Sequence, residues 1–356
     1  MSQQDPNKEY ALGTGDAEIV RLGIQHKIWS ADAFAAWERA GIRAGQTVLD
    51  IGCGPGYTTA DLAGLVTASG KVVAIDESAR FIEHLKERPR GIGAVIDAHV
   101  GDVQHLDLPP ESFDAAYQRW VLCFVKDPES VVRGVARALK PGGVFVSQDY
   151  THYEGVQLAP PSDAFRRFMT VVAEAWRGHG GDTEISLRLP TWLERHGLTP
   201  VEILPLHRVA RPGSQLWTWP TIFIDTYAPK LVEEGRLTPA EHRALVEDWK
   251  AHASDPAAAA ICVTSTAMAA EPFAASALPP LNPNHPTQSS EAPLTVMVRL
   301  CGSIGVSGKP LRLPITSAAT SAATPAFTCT TAPPAKSLKP SAASQPPPQT
   351  QCVTGR

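Results

Sequence analysis

The stretch Val48-Leu49-Asp50-Ile51-Gly52-Cys53-Gly54-Pro55-Gly56 holds the residues whose types and spacing say most about chemistry. A short apolar run delivers an acid, and three glycines follow at alternate positions. Glycine permits a tight turn and lets a ligand come close to the backbone. A helix beginning just after the loop would add free N–H groups. A pyrophosphate site would want G-x-G-x-x-G there. This loop is G-x-G-x-G with Asp50 in front of it. That carboxylate repels phosphate and suits a cationic ligand that carries an amino group. Cys53, inside the loop, reads as a packed thiol and not as a nucleophile.

Two more acids recur at comparable points. Asp76, followed by Glu77, closes the next apolar run, at about the distance where an acid accepts both hydroxyls of a ribose. In Gly101-Asp102-Val103, Asp102 could accept from an adenine amino group while Val103 packs on the ring. Arg119, in Gln118-Arg119-Trp120, would contact a carboxylate of that ligand or an anionic acceptor, or else form a structural ion pair. Imidazole is the side chain suited to proton transfer at neutral pH, and one, His152, stands in Gln148-Asp149-Tyr150-Thr151-His152-Tyr153. It is a candidate proton acceptor or a solvated loop histidine, and His26 poses the same choice. Trp176, Trp192, Trp217, Trp219, Phe223 and Tyr227 are candidates for an apolar pocket wall, or plain core.

Positioning these groups requires alternating strands and helices. Apolar runs at 47–51, 71–75, 94–100, 113–120 and 144–148 read as buried parallel strands. Helical spacing covers 57–66, 78–87 and 128–139. Such alternation predicts an α/β, Rossmann-like, doubly wound sheet covered on both faces. Each acid then falls at the carboxyl end of a strand, where open α/β sheets bind ligands. Helices at 163–177, 189–196, 217–224 and 239–253, with a strand at 201–209, would supply a cap. In Ala17–Trp37 the apolar spacing breaks near Gly23, which predicts two short helices capped by Asp16 and Ser30.

On these residues the chain resembles the class I S-adenosylmethionine-dependent methyltransferases. The resemblance rests on Asp50 to Gly56, Val72 to Asp76, Gly101 to Val103, Phe113 to Trp120, and Leu139-Lys140-Pro141-Gly142-Gly143, so it spans roughly 47–150. It implies S-adenosylmethionine as cofactor and strand order 3-2-1-4-5-7-6 with strand 7 antiparallel. Asp50, Gly52, Cys53, Gly54 and Gly56 would hold the methionine part, Asp76 and Glu77 the ribose, and Asp102 and Val103 the adenine. The arm from Tyr10 to His26 looks like the lid of small-molecule members. Gln118-Arg119-Trp120 departs from the Asp/Asn-Pro-Pro-aromatic pattern of members that methylate DNA amino groups. The implied reaction is in-line transfer of a methyl group to a small-molecule oxygen or carbon. The rival readings are a non-catalytic cofactor-binding protein and a methyltransferase acting on protein or RNA.

Composition narrows the partners. With 32 Lys and Arg against 36 Asp and Glu, the formal net charge is -4, which favours neither nucleic acid nor an anionic membrane. The polar stretch Met1–Tyr10 predicts no signal peptide. Cys53, Cys123, Cys262, Cys301, Cys329 and Cys352 fit neither a metal site nor a disulfide framework. Free thiols suit the cytoplasm. The organisation expected is an arm over 1–46, a catalytic domain over 47–256 with cap helices near 160–200 and 214–254, and a tail over 257–356. In that tail Ala, Ser, Thr and Pro dominate, and two acids, Glu271 and Glu291, stand against six bases. Such composition predicts disorder. A seventh strand is due near Asp255-Pro256-Ala257, where the tail begins. Either the reading frame changes there, or the strand is supplied from Leu294 to Leu300; without it the fifth strand keeps an open edge.

Overall fold

The computed structural model describes residues 13–87 and 95–270. Parallel strands β1 (Thr47–Ile51), β2 (Lys71–Asp76), β3 (Val95–Val100), β4 (Phe113–Arg119) and β5 (Leu139–Asp149) form most of one sheet. Helices α2 (Tyr57–Val66), α3 (Ala79–Glu87) and α4 (Pro128–Ala138) connect them. Val48, Leu49 and Ile51 are fully buried, as a strand covered on both faces requires. The chain continues through β6 (Gln157–Ala159), α5 (Asp163–Gly178), α6 (Leu189–Arg195), β7 (Thr199–Ala210), α7 (Gln215–Glu233), α8 (Pro239–Ser254) and β8 (Ala259–Ala270).

The strand order is β3-β2-β1-β4-β5-β8, with β7 on the far side of β8 and the short β6 pairing the start of β8, at Ala259–Ile261, where β5 does not reach. Strand β8 runs antiparallel to both neighbours: Val144 pairs with Ala270 on one side, and Ala210 with Ala260 on the other. This is the implied 3-2-1-4-5-7-6 arrangement, with β7 and β8 as its sixth and seventh strands. The order reverses between β1 and β4, so the crevice beyond their carboxyl ends is the topological switch point.

Two expectations need correction. The seventh strand is neither missing nor supplied from farther along the chain. It is Ala259-Ala260-Ile261-Cys262-Val263-Thr264-Ser265-Thr266-Ala267-Met268-Ala269-Ala270, the first residues of what reads as tail. Its alanines hide the pattern, because strand preference is expressed mainly through packing and pairing. Ala269 is fully buried between β5 and β7, and Ala260 between β6 and β7, so β8 covers the edge of β5. The expectations for 271–356 (disorder, a changed frame, a strand at 294–300) lie outside the described residues, as does the arm before Gly13.

The second correction concerns α1 (Asp16–Arg39), which is one helix of 24 residues. Gly23 does not break it; it makes room. A β-carbon there would lie 2.8 Å from the Tyr57 hydroxyl oxygen, and that hydroxyl donates to the Ile19 carbonyl at 3.1 Å. Asp16 is not the cap: Gly15 holds that position, and the Asp16 carboxylate pairs with Arg80. Ser30 lies within the helix and donates to the Lys27 carbonyl. Farther along, Trp37 is fully buried and meets Tyr117 of β4 edge to face at 5.2 Å, which anchors α1 to the sheet.

Alanine outranks glycine in a helix by about 1 kcal/mol, but overpacking costs about 1–3 kcal/mol. The Tyr57 ring is held on both sides, so Gly23→Ala is expected to lower the urea midpoint. A raised midpoint would show that the ring yields freely.

Candidate active site

Beyond the end of β1, the glycine loop is shaped by what it must avoid. Gly52 has φ +61°, and a β-carbon on it would lie 2.4 Å from Val121. Gly56 has φ +82°, and a β-carbon would lie 2.2 Å from Leu85. Gly54 is different: among the described residues a β-carbon on it would meet only Leu22, at 4.0 Å, so its bare backbone has room beside it. The Gly54 N–H donates to Asp76 Oδ2 at 2.8 Å, and the Ser78 N–H donates to Asp76 Oδ1 at 2.9 Å. One carboxylate thus ties the β1 loop to the β2 loop. Behind the loop, Asp50 is buried and accepts from Thr59 Oγ1 at 2.6 Å. Burial pushes the Asp50 carboxyl up to about 7 and that of Asp76 up to about 6.

A cavity of about 1070 Å³ opens from this loop. One end is walled by Gly52, Gly54, Asp76, Glu77, Asp102 and Val103. Asp102 Oδ1 accepts from the backbone N–H and side-chain amide of Gln104, both at 3.0 Å, which fixes the turn after β3. The other end is aromatic: Trp120, Tyr150, Tyr153, Trp176, Trp219 and Phe223 share it. Trp120 lies face to face with Tyr150 and with Trp219, each at 5.9 Å, and Tyr153 lies 4.6 Å from Trp176.

Arg119 and Trp120 join the two ends. Trp120 has φ +53°, a conformation that costs a bulky residue about 1–3 kcal/mol and clusters at functional sites. It turns the chain so that the Trp120 ring joins the aromatic wall, with the Arg119 guanidinium 5.2 Å above that ring. Arg119 Nη2 also lies 3.2 Å from His26 Nδ1 and 3.4 Å from Thr58 Oγ1.

The structure thus brings Gly52, Gly54, Asp76, Glu77, Asp102, Val103 and Arg119 to one cavity. Asp50, Cys53 and Gly56 stand behind its wall. Cys53 is buried, burial raises its thiol pKa well above the usual range, and it is placed as packing. The two histidine candidates are not brought to the cavity. His152 is exposed, pairs with Glu184 at 3.1 Å and is absent from the wall, because the chain turns outward after Tyr150. His26 sits behind Arg119 with both ring nitrogens engaged. Of the aromatic candidates, Trp176, Trp219 and Phe223 line this cavity, and Trp192, Trp217 and Tyr227 do not.

Sequence reasoning missed two groups of wall residues. Phe165, Phe168 and Met169 of α5 line the cavity, but their spacing is that of any core-facing helix stripe. Arg21 and Gln25 of α1 also reach it. Arg21 forms a buried pair with Glu18 at 2.7 Å and donates to Gln25 Oε1 at 2.9 Å; Trp219 Nε1 donates to the same oxygen at 2.8 Å. Their positions at i and i+4, on the face that meets the glycine loop, were the available signal. His179 lines the cavity too; its Nδ1 donates to the Ala175 carbonyl at 2.7 Å, which leaves Nε2 as an acceptor.

Comparison with known proteins agrees with this geometry. Residues 49–147 match a methyltransferase domain family. A protein of transposon Tn4556 from Streptomyces fradiae is 38% identical over 104 residues, covering 29% of this chain and 30% of that one. The ubiquinone/menaquinone biosynthesis C-methyltransferase UbiE of Escherichia coli is 32% identical over 128 residues, covering 35% of this chain and 49% of that one. The chain therefore spans half or less of the length of these relatives. Among solved structures, geranyl diphosphate C-methyltransferase from Streptomyces coelicolor A3(2) aligns with TM-score 0.43 and 16% identity, covering 69% of this chain and 77% of that one. The matched region, 49–147, is thus similar to the domains of class I S-adenosylmethionine-dependent methyltransferases. The site fits that cofactor: the glycine loop offers bare backbone at Gly54, the acids Asp76 and Glu77 stand at the end of β2 and Asp102 just beyond β3, and among the described residues the buried donor Arg119 Nη1 has no hydrogen-bond partner.

The raised carboxyl pKa values make the ligand-free fold sensitive to pH. Asp50 and Asp76 hold protons in the fold at pH values where the unfolded chain has released them. The folded state then binds more protons, so stability falls as pH rises. The contribution is complete below about pH 4 and is lost through about 6 for Asp76 and about 7 for Asp50. Urea midpoints of ligand-free protein should therefore drop between about pH 5 and about pH 8. A rise would mean that other groups compensate the ionised forms.

Proposed function

We propose that this protein transfers the methyl group of S-adenosylmethionine to an apolar, ring-bearing small molecule, with carbon favoured over oxygen as the attacked atom. The single observation that carries the reading is the continuity of the cavity, which runs from the glycine loop past Arg119 and Trp120 into the aromatic end. UbiE, a C-methyltransferase of ubiquinone and menaquinone biosynthesis, supports carbon as the target.

The bound cofactor supplies an electrophilic methyl group, so the protein's task is alignment and exclusion of water. Asp76 and Glu77 meet the ribose and Asp102 and Val103 the adenine, while Gly52 and Gly54 let the methionine part lie against the backbone. Arg119 receives its carboxylate. Trp120, Tyr150 and Trp219 form an aromatic wall for the acceptor ring and keep water from the reacting atoms. Transfer to a ring carbon releases one proton. His179, an exposed residue at the cavity wall whose Nδ1 is engaged by the Ala175 carbonyl, is our candidate to accept it through Nε2, in place of His152 and His26, neither of which lines the cavity.

The apolar aromatic end suits a small molecule better than a nucleic acid or a protein side chain. No helix among the described residues is long and apolar enough to cross a membrane. Cys53, Cys123 and Cys262 are buried free thiols, which suits the cytoplasm as the place of action.

Incubation of the protein with methyl-labelled cofactor and a low-molecular-weight cell extract should yield a labelled, solvent-extractable product. Label confined to protein or RNA, or no transfer at all, would overturn the reading. Asp76→Ala should weaken S-adenosylhomocysteine binding by about 1.5–3 kcal/mol, as expected for loss of a charged hydrogen bond. Unchanged affinity in a calorimetric titration would remove Asp76 from the site.

A further inference from the structure

His26 and Asp61 lie outside the cavity wall, yet they determine how Arg119 presents itself to it. His26, on α1, places Nε2 2.9 Å from Asp61 Oδ2 on α2 and Nδ1 3.2 Å from Arg119 Nη2 at the end of β4. A guanidinium can only donate, so Nδ1 must be the accepting nitrogen. The ring hydrogen is therefore on Nε2, where the Asp61 carboxylate accepts it. One tautomer satisfies both contacts, and Asp61 selects it. A protonated ring would turn an N–H toward the Arg119 N–H group and break the chain.

The ring is also held sterically. It stacks on Tyr57 at 5.9 Å with 21° between planes, and Tyr57 is itself pinned to the Ile19 carbonyl beside Gly23. The His26 side chain is 11% exposed and that of Asp61 32%, so the chain of contacts is largely shielded from water. At its far end stands a charge that the buried Asp50 feels without pairing with it directly. Among the described residues no carboxylate lies within ion-pair distance of Arg119, and its Nη1 is buried without a hydrogen-bond partner. A guanidinium lining a cavity in that condition calls for a carboxylate from the ligand.

We propose that Asp61 and His26 are positioning residues that hold Arg119 against the amino-acid end of the bound cofactor, and so select ligands that carry that end. The inference rests on the cofactor assignment made above. It joins α1, α2 and β4 in one hydrogen-bonded line, so the amino-acid part of the ligand would also fasten α1 over the glycine loop.

The test compares two probes in calorimetric titrations: S-adenosylhomocysteine, which has the amino-acid end, and 5′-methylthioadenosine, which lacks it. His26→Ala should weaken the first about tenfold, the size of a lost charge-assisted hydrogen bond, and leave the second unchanged. His26→Asn, which keeps an acceptor facing Arg119, should restore part of the loss. Asp61→Asn, at a partly exposed position, should give an intermediate loss with the same selectivity, and it carries the test if His26→Ala fails to fold. Equal losses for both probes, or an unchanged ratio of affinities, would overturn the inference alone. Wild-type protein that binds neither probe would overturn the cofactor assignment, and this inference with it.

Discussion

The site depends on a turn that leaves no room for side chains. Gly52 is pressed by Val121 from the loop after β4, and Gly56 by Leu85 from α3. These two contacts close the β1 loop against its neighbours, and Gly54 between them has room beside it. Any β-carbon at the outer two positions would push the loop away from Val121 or α3, and the Asp76 bond to the Gly54 N–H would go with it. The backbone at Gly52 and Gly54 that a cofactor would touch is located by that loop, and Asp76 is tied to it.

A second constraint is electrostatic. Asp50 and Asp76 are carboxyls held in surroundings that penalise their ionised forms. Hydrogen bonds from Thr59, Ser78 and the Gly54 N–H reduce the penalty without removing it. A cation in the cavity would favour the ionised forms, so the protein without ligand is strained in the direction that a sulfonium ammonium ligand relieves. A polyanion such as a pyrophosphate would add to the strain. The same logic, with the sign reversed, applies to Arg119, whose charge lacks a carboxylate partner among the described residues.

Much of this was legible in the sequence, for identifiable reasons. Strands buried on both faces are short, apolar and bounded by turns, and β1, β2 and α2 fall where the pattern predicts them, with β2 one residue longer. Because chemistry collects at strand ends, Asp76, Asp102 and Arg119 could be placed at one crevice from spacing alone. The failures have equally physical causes. Gly23 reads as a helix break because its reason, the Tyr57 ring, lies 34 positions farther along the chain. Strand β8 reads as tail because its alanines fit a closely flanked strand without advertising it. His152 read as either a proton acceptor or a solvated loop residue because loop direction is invisible in sequence, and Tyr150 and Tyr153 turn inward where it turns out. The aromatic wall from α5 could not be told from core, since both are apolar stripes on a helix.

The central claim is that a carboxylate-led glycine loop receives a positively charged adenosyl ligand. Its most direct test is a calorimetric titration of the folded protein with S-adenosylmethionine and, separately, with NAD. The account predicts saturable binding of the first at one site per chain and no saturable heat from the second. Uptake of NAD with indifference to S-adenosylmethionine would contradict it.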